Sequence, residues 1–173
     1  MVCSCFRKPF QKACILASAI CEKESMTSRV LFALLCVAFA AIGARAQTLS
    51  SPYDFDTSVA RLEASVAANE MFLVATASAS RGAAGQGIAI PGNAVLLVFR
   101  NDYARRMLAA SVEAGIEAPL RIYVTANEAG AVAVRWQVPS AVFAPYKNAA
   151  LDALAKELDP IFAGIVAQAL ARP

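Results

Sequence analysis

Four charged side chains crowd into the stretch "RNDYARR": Arg100, Asp102, Arg105 and Arg106. The apolar run ahead of it reads as a strand and the residues after it as a helix, so the cluster falls at a strand-to-helix junction. Free amides at a helix N-terminus favour an anion, and guanidinium groups add a rigid fork of donors that matches a carboxylate or phosphate. The competing reading is a solvated helix face with Asp102 as its cap. A second set, Arg121, Tyr123 and Arg135, lies farther along. Strand side chains alternate, so all three should share one face of a hairpin. With no helix over it, that face is solvated, a ligand wall or an interface, and Tyr and Arg are enriched in interfaces. Arg100, Asp102, Arg105, Arg121, Tyr123 and Arg135 are therefore the candidate binding residues for a small anionic ligand. The hairpin set is also the candidate surface for a homodimer.

Other chemistry is bounded by what the chain lacks. It has no histidine, which removes a Ser-His-Asp triad and any imidazole metal ligand. All five cysteines (Cys3, Cys5, Cys14, Cys21 and Cys36) precede residue 47. Their spacings match no common zinc site. Asp54 and Asp56 are a close carboxylate pair that would suit acid–base work, but helix capping accounts for them better. Past residue 46 only Lys147 and Lys156 remain for a Ser-Lys dyad, and no motif sets a serine beside either. The stretch "SRGAAGQG", Ser80 to Gly87, lacks the phosphate-loop pattern and precedes a strand; it reads as a flexible surface loop. No metal and no cofactor are expected.

The cysteine positions raise the question of where the functional protein begins. Val30 to Ile42, "VLFALLCVAFAAI", is an apolar run of 13 residues, short of the ~20 needed to span a bilayer. Met26 and Arg29 precede it, and Ala44-Arg45-Ala46 puts small residues where a signal peptidase needs them. Residues 26–46 therefore read as a signal peptide cut before Gln47; an uncleaved anchor is the alternative. Leu35 before Cys36 argues against a lipoprotein. Residues 1–25 read as a start assigned too early or as a leader. Residues 47–173 read as one domain, periplasmic or secreted, that meets the membrane only during export.

The whole chain carries 16 Lys and Arg against 13 Asp and Glu, a net charge of +3. Residues 1–46 hold six of the former (Arg7, Lys8, Lys12, Lys23, Arg29, Arg45) and two of the latter (Glu22, Glu24). The remainder has 10 against 11, a net charge of −1. The basicity belongs to the leader, so nucleic-acid binding, which needs a basic surface, has no support. The exported part has no cysteine, and its core must hold it without disulfides.

The elements that would position the candidate residues follow from periodicity. Gln47 to Pro52 reads as a short polar lead-in with room for a brief first strand. Phe55, Val59, Leu62 and Val66 fall on one helix face, with Asp54 or Asp56 at the N-terminus and Asn69 as a left-handed cap. "EMFLVATAS" reads as a strand, and "NAVLLVFR" as a central strand covered on both faces. Residues from Asn101 form a second helix with Tyr103, Met107 and Leu108 inward and Gly115 at its end. "LRIYVTANEAGAVAVRW" is a hairpin with Leu120, Ile122, Val124, Val132, Val134 and Trp136 inward. The last segment carries the stripe Leu151, Leu154, Leu158, Ile161, Ile165 and Val166; Asp159 and Pro160 start a second helix within it or kink it. The order points to an α+β two-layer sandwich, a partly antiparallel sheet with a β-hairpin and the helices packed on one face.

"SPYDFDTSVARLEASVAANEMFLVA", Ser51 to Ala75, resembles the opening of the domain of unknown function 302 family, with its Tyr-Asp-Phe-Asp helix start and Val-Ala-Arg-Leu-Glu helix. "VLLVFRND", "AGIEAPLRIYV", "EAGAVAVRW" and "LDALAKELDPIFAGIVAQAL" follow in the family's order, so the resemblance covers nearly all of 51–171. It implies a small α+β fold, often a homodimer, with no established activity. Many members carry an Asp-His pair after the second strand; here that region is "TASASRG". Arg100-Asn101-Asp102 stands where the family has a Gly-Asn-Pro turn. A function that needs the histidine is lost or altered in this chain. The reading is an exported, non-enzymatic domain that binds a small ligand or serves the envelope. The alternatives are a carboxylate-dependent hydrolase-like enzyme and a purely structural homodimer.

Overall fold

The computed structural model describes residues 46–172; the start-site and signal readings fall on residues 1–45, outside them. The described residues open with β1 (Ala46–Ser51), the brief strand expected in front. Helix α1 (Phe55–Ala68) starts on Asp54, whose Oδ1 accepts from the Thr57 amide at 2.9 Å while the Thr57 hydroxyl donates to Oδ2 at 2.7 Å. Its buried face carries Val59, Leu62 and Val66. Burying each such side chain contributes about 1.5–3 kcal/mol relative to exposure. The left-handed residue after the helix is Glu70 (φ 58°), not Asn69 (φ −95°). The Asn69 carboxamide instead donates to Ser65 O and to Gln168 Oε1, each at 2.8 Å.

Strand β2 (Phe72–Ala77) is bulged around Val74. The stretch read as a loop then contains a short helix, α2 (Ala79–Ala84). Ser78 caps it by accepting from the Arg81 amide at 3.2 Å, and its alanines favour a helix enough to carry Gly82. Strand β3 (Asn93–Phe99) leads into α3 (Asn101–Ala110) and a 3₁₀ turn (Glu113–Glu117) that contains Gly115. The hairpin is β4 (Leu120–Ala126) and β5 (Val132–Gln137), turned at Gly130 with φ 79°. Helix α4 (Pro139–Phe143) and a second 3₁₀ turn (Ala144–Tyr146) lead to α5 (Ala149–Leu170).

Helix α5 runs unbroken through Pro160. Asp159 starts no helix; its Oδ1 accepts from the Ser140 amide at 2.9 Å. Leu151, Leu154 and Leu158 before the proline, and Phe162, Ile165 and Val166 after it, are all buried. That continuous buried stripe outweighs the one lost backbone hydrogen bond. Leu108, expected inward on α3, is 45% exposed, whereas Met107 is buried. Adjacent helical residues point about 100° apart, and only the Met107 side of α3 meets the core.

The five strands form one sheet in the order β1-β5-β4-β3-β2, every neighbouring pair antiparallel. One face carries Ala94, Leu96, Val98, Leu120, Ile122, Val124, Val132, Val134 and Trp136, all buried against the helix layer. Helices α1, α3, α4 and α5 supply its counterpart. The fold is the expected two-layer α+β sandwich. β3 is not covered on both faces: fully buried residues alternate along it with half-buried Asn93, Val95, Leu97 and Phe99. These four look out from the face opposite the helices.

Candidate functional site

The register of β4 and β5 places Tyr123 opposite Arg135. Arg121 is two residues along β4, and an alternating strand returns it to the same face. All three are exposed, as the hairpin pattern requires. The row through Tyr123 continues to Val95 and Ala77 on one side and to Thr48 on the other. The row through Arg121 continues to Leu97 and Ala75. Phe72 stands opposite Phe99 at the end of β2 and β3.

This open face therefore has two halves. On β2 and β3 it is apolar, with Phe72 65% exposed beside Phe99, Leu97 and Val95. On β5 and β1 it is polar with Arg135 as its cation, and Arg121 stands beside Tyr123 on β4. The Arg135 Nε donates to Thr48 Oγ1 at 3.2 Å and meets no carboxylate among the described residues. The Arg121 Nε donates to Gln137 Oε1 at 3.1 Å, and its guanidinium reaches Glu117 only at 4.0 Å. Tyr123, on the central strand, divides the halves.

The other arginine set is organised differently. The Arg100 Nε and Nη2 donate to the two oxygens of Asp102 at 2.7 and 3.0 Å. This paired hydrogen bond holds the Asp102 carboxyl below its ordinary pKa and the Arg100 guanidinium above its own. The same guanidinium lies 4.1 Å from the centre of the Tyr103 ring. Arg106 sits 5.6 Å from that ring and donates to both oxygens of Glu157, at 2.8 and 2.6 Å. These bonds hold the Glu157 carboxyl low and the Arg106 guanidinium high. Arg105 is exposed and makes no hydrogen bond or ion pair among the described residues. Asp102 closes on Arg100 and gives α3 no side-chain cap. The donors expected at the helix start are thus engaged within the chain, and Arg105 does not join them.

Behind Arg100 and Tyr103 lies a narrow apolar cleft lined by Met71, Met107, Leu120, Phe143 and Leu158 among others. Its space open to the centre of a water-sized sphere is about 30 Å³, against the roughly 10–15 Å³ one water needs on that measure. That is room for about one or two waters. Among the described residues no three His, Cys, Asp or Glu side chains could together hold a metal ion. No buried side-chain polar atom among them lacks a partner.

A groove between α1 and α5 is occupied by an arginine that periodicity does not single out. The Arg61 Nε donates to Ala169 O at 2.6 Å and Nη2 to Ala171 O at 2.9 Å. The Tyr53 hydroxyl donates to the same Ala171 oxygen at 2.6 Å, and its ring lies 4.4 Å from the Arg61 guanidinium. This is a clamp on the carbonyl end of α5, where free acceptors and the negative end of the helix dipole favour a cation. The expected carboxylate pair is also used structurally. Asp54 caps α1, and the amide and hydroxyl of Thr57 hold its carboxyl low; Asp56 pairs with Arg81 at 3.2 Å.

No curated protein matches the chain. Its fold is similar to the crystal structure of a conserved DUF302 protein from Bacillus stearothermophilus, with a TM-score of 0.66 and 16% identity. That likeness covers 73% of this chain and 99% of the other. The match to the family described as domain of unknown function DUF302 runs over residues 47–169, well over half the sequence, and the chain belongs to that family.

Proposed function

We propose that this is an exported, non-enzymatic accessory domain that works through the open face of its sheet, and that a second copy of the chain occupies that face. The observation that carries the reading is the division of the face into an apolar half on β2 and β3 and a polar half on β5 and β1 that carries Arg135, with Tyr123 between them. A two-fold axis along β4, lying between two stacked sheets, would set the β5–β1 half of each copy over the β3–β2 half of the other. The aliphatic stem of Arg135 would then lie over Val95 and Leu97. Tyr123 would meet its own copy at the axis. Each half offers what the other lacks, and the charged heads keep contact with water at the rim.

Size supports an interface of modest strength. Strands of six to seven residues at ~3.3 Å per residue, five across at ~4.8 Å, give a face on the order of 500 Å² in projection. A standard interface takes about 800 Å² of accessible surface from each partner, so the whole face is needed. A dimer in the micromolar range is expected.

Cysteine cross-linking tests this arrangement directly, because the exported part has no thiol of its own. Tyr123→Cys should give a covalent dimer with a short bis-maleimide, whose span suits two sheets stacked about 10 Å apart. Lys156→Cys, exposed on the helix layer, should not. Equal cross-linking at both sites, or none at residue 123, would contradict the arrangement. Retention of a small anion by Arg121 and Arg135 in a monomer would favour a ligand wall over an interface.

A further inference from the structure

The strand at the sheet edge begins at the expected processing site. Ala46, the last residue of Ala44-Arg45-Ala46, stands opposite Gln137, and Gln47 stands opposite Trp136. β1 has a partner on one side only. Gln47 is exposed, and its carboxamide makes no hydrogen bond among the described residues. Cleavage after Ala46 leaves Gln47 with a free α-amine at an exposed sheet edge, next to a carboxamide that nothing holds.

We infer that Gln47 is a modification site at which the exported chain closes its own N-terminus into a pyroglutamyl ring. The inference rests on the export reading above. The α-nitrogen attacks Cδ of its own side chain; the Cα-bound nitrogen–Cδ bond forms, the Cδ–Nε2 bond breaks, and ammonia leaves with the displaced proton. No electrons are exchanged and no co-reactant is required. An α-amine with a pKa of about 7.7–8.0 is partly unprotonated near neutral pH, so the nucleophile is present. The ring keeps one N–H donor and removes the ammonium charge. It also removes the free amine that aminopeptidases need. Trimming past Gln47 would reach Thr48, the hydroxyl that holds Arg135, so the ring protects the outermost strand of the open face.

The test is mass spectrometry of the exported protein, with free amines dimethylated at harvest so that cyclisation during work-up is excluded. The expected N-terminal peptide begins at residue 47, escapes dimethylation and is lighter than the open form by one ammonia; Gln47→Ala begins at the same position without that loss. A dimethylated, open Gln47 overturns the ring and leaves processing at Ala46 intact. A first residue other than Gln47 overturns both.

Discussion

Tyr123 on β4 stands directly opposite Arg135 on β5, and both project from the sheet face that the helices leave uncovered. On the reverse of the same two strands Val124 pairs with Val134, both fully buried. A shift of one residue in this register would exchange the two sets and put an arginine in the core. The burial of one pair therefore fixes the exposure of the other.

The carboxylates held low by hydrogen bonds set the acid limb of stability. Asp54, Asp102 and Glu157 all have folded-state pKa values below the ordinary carboxylate range. Their contribution is complete above that range and is lost as pH falls through the folded values, because the unfolded chain then binds protons more readily. Stability should be flat from neutral pH down to about 5 and fall below about 4. Asp54→Ala should flatten part of that fall and lower the thermal midpoint by about 2–6 °C. Circular dichroism melts across pH check both, and an unchanged midpoint would remove Asp54 from the cap.

Gly92 tests the packing of the loop before β3. A Cβ there would lie 2.6–3.0 Å from ring atoms of Phe55. Gly92→Ala should cost about 1–3 kcal/mol by overpacking. Phe55→Leu should recover part of that in the double variant, because the two sites share the contact. Denaturant melts of the four proteins measure the coupling; strict additivity would mean the loop does not rest on Phe55.

Arg61 should matter at the far end of α5. Arg61→Ala removes two hydrogen bonds to terminal carbonyls and should cost about 1–2 kcal/mol. Hydrogen exchange should speed up over residues 165–171 and stay unchanged in β4. Arg61→Lys should recover little, since an ammonium lacks the planar fork that spans both oxygens. Full protection in Arg61→Ala would show that packing alone holds this end.

These features differ in how far the sequence reveals them. The hairpin is legible because Leu120, Ile122 and Val124 contrast with Arg121, Tyr123 and Thr125. β3 is not, because Val95 and Leu97 on the open face are as apolar as Leu96 and Val98 in the core. The apolar half of the candidate face is hidden for that reason. The Asp54 cap is local and visible, whereas the carbonyls that Arg61 clamps lie more than 100 residues away. Pro160 and Gly82 carry strong local signals for a break, and the buried stripe of α5 and the Ser78 cap override them. The Arg100–Asp102 and Arg106–Glu157 pairs read as available donors until the fold sets a carboxylate against each.

Sedimentation equilibrium of residues 47–173 and of their Tyr123→Lys variant tests the central claim most directly. Tyr123 lies outside the core, so the variant should keep the wild-type circular dichroism spectrum. The account predicts a wild-type dimer at micromolar concentration and a folded, monomeric variant, because the new cation stands beside Arg121 and Arg135 at the two-fold axis and meets no carboxylate there. A wild type that stays monomeric at every concentration, or a variant that remains dimeric, would contradict it.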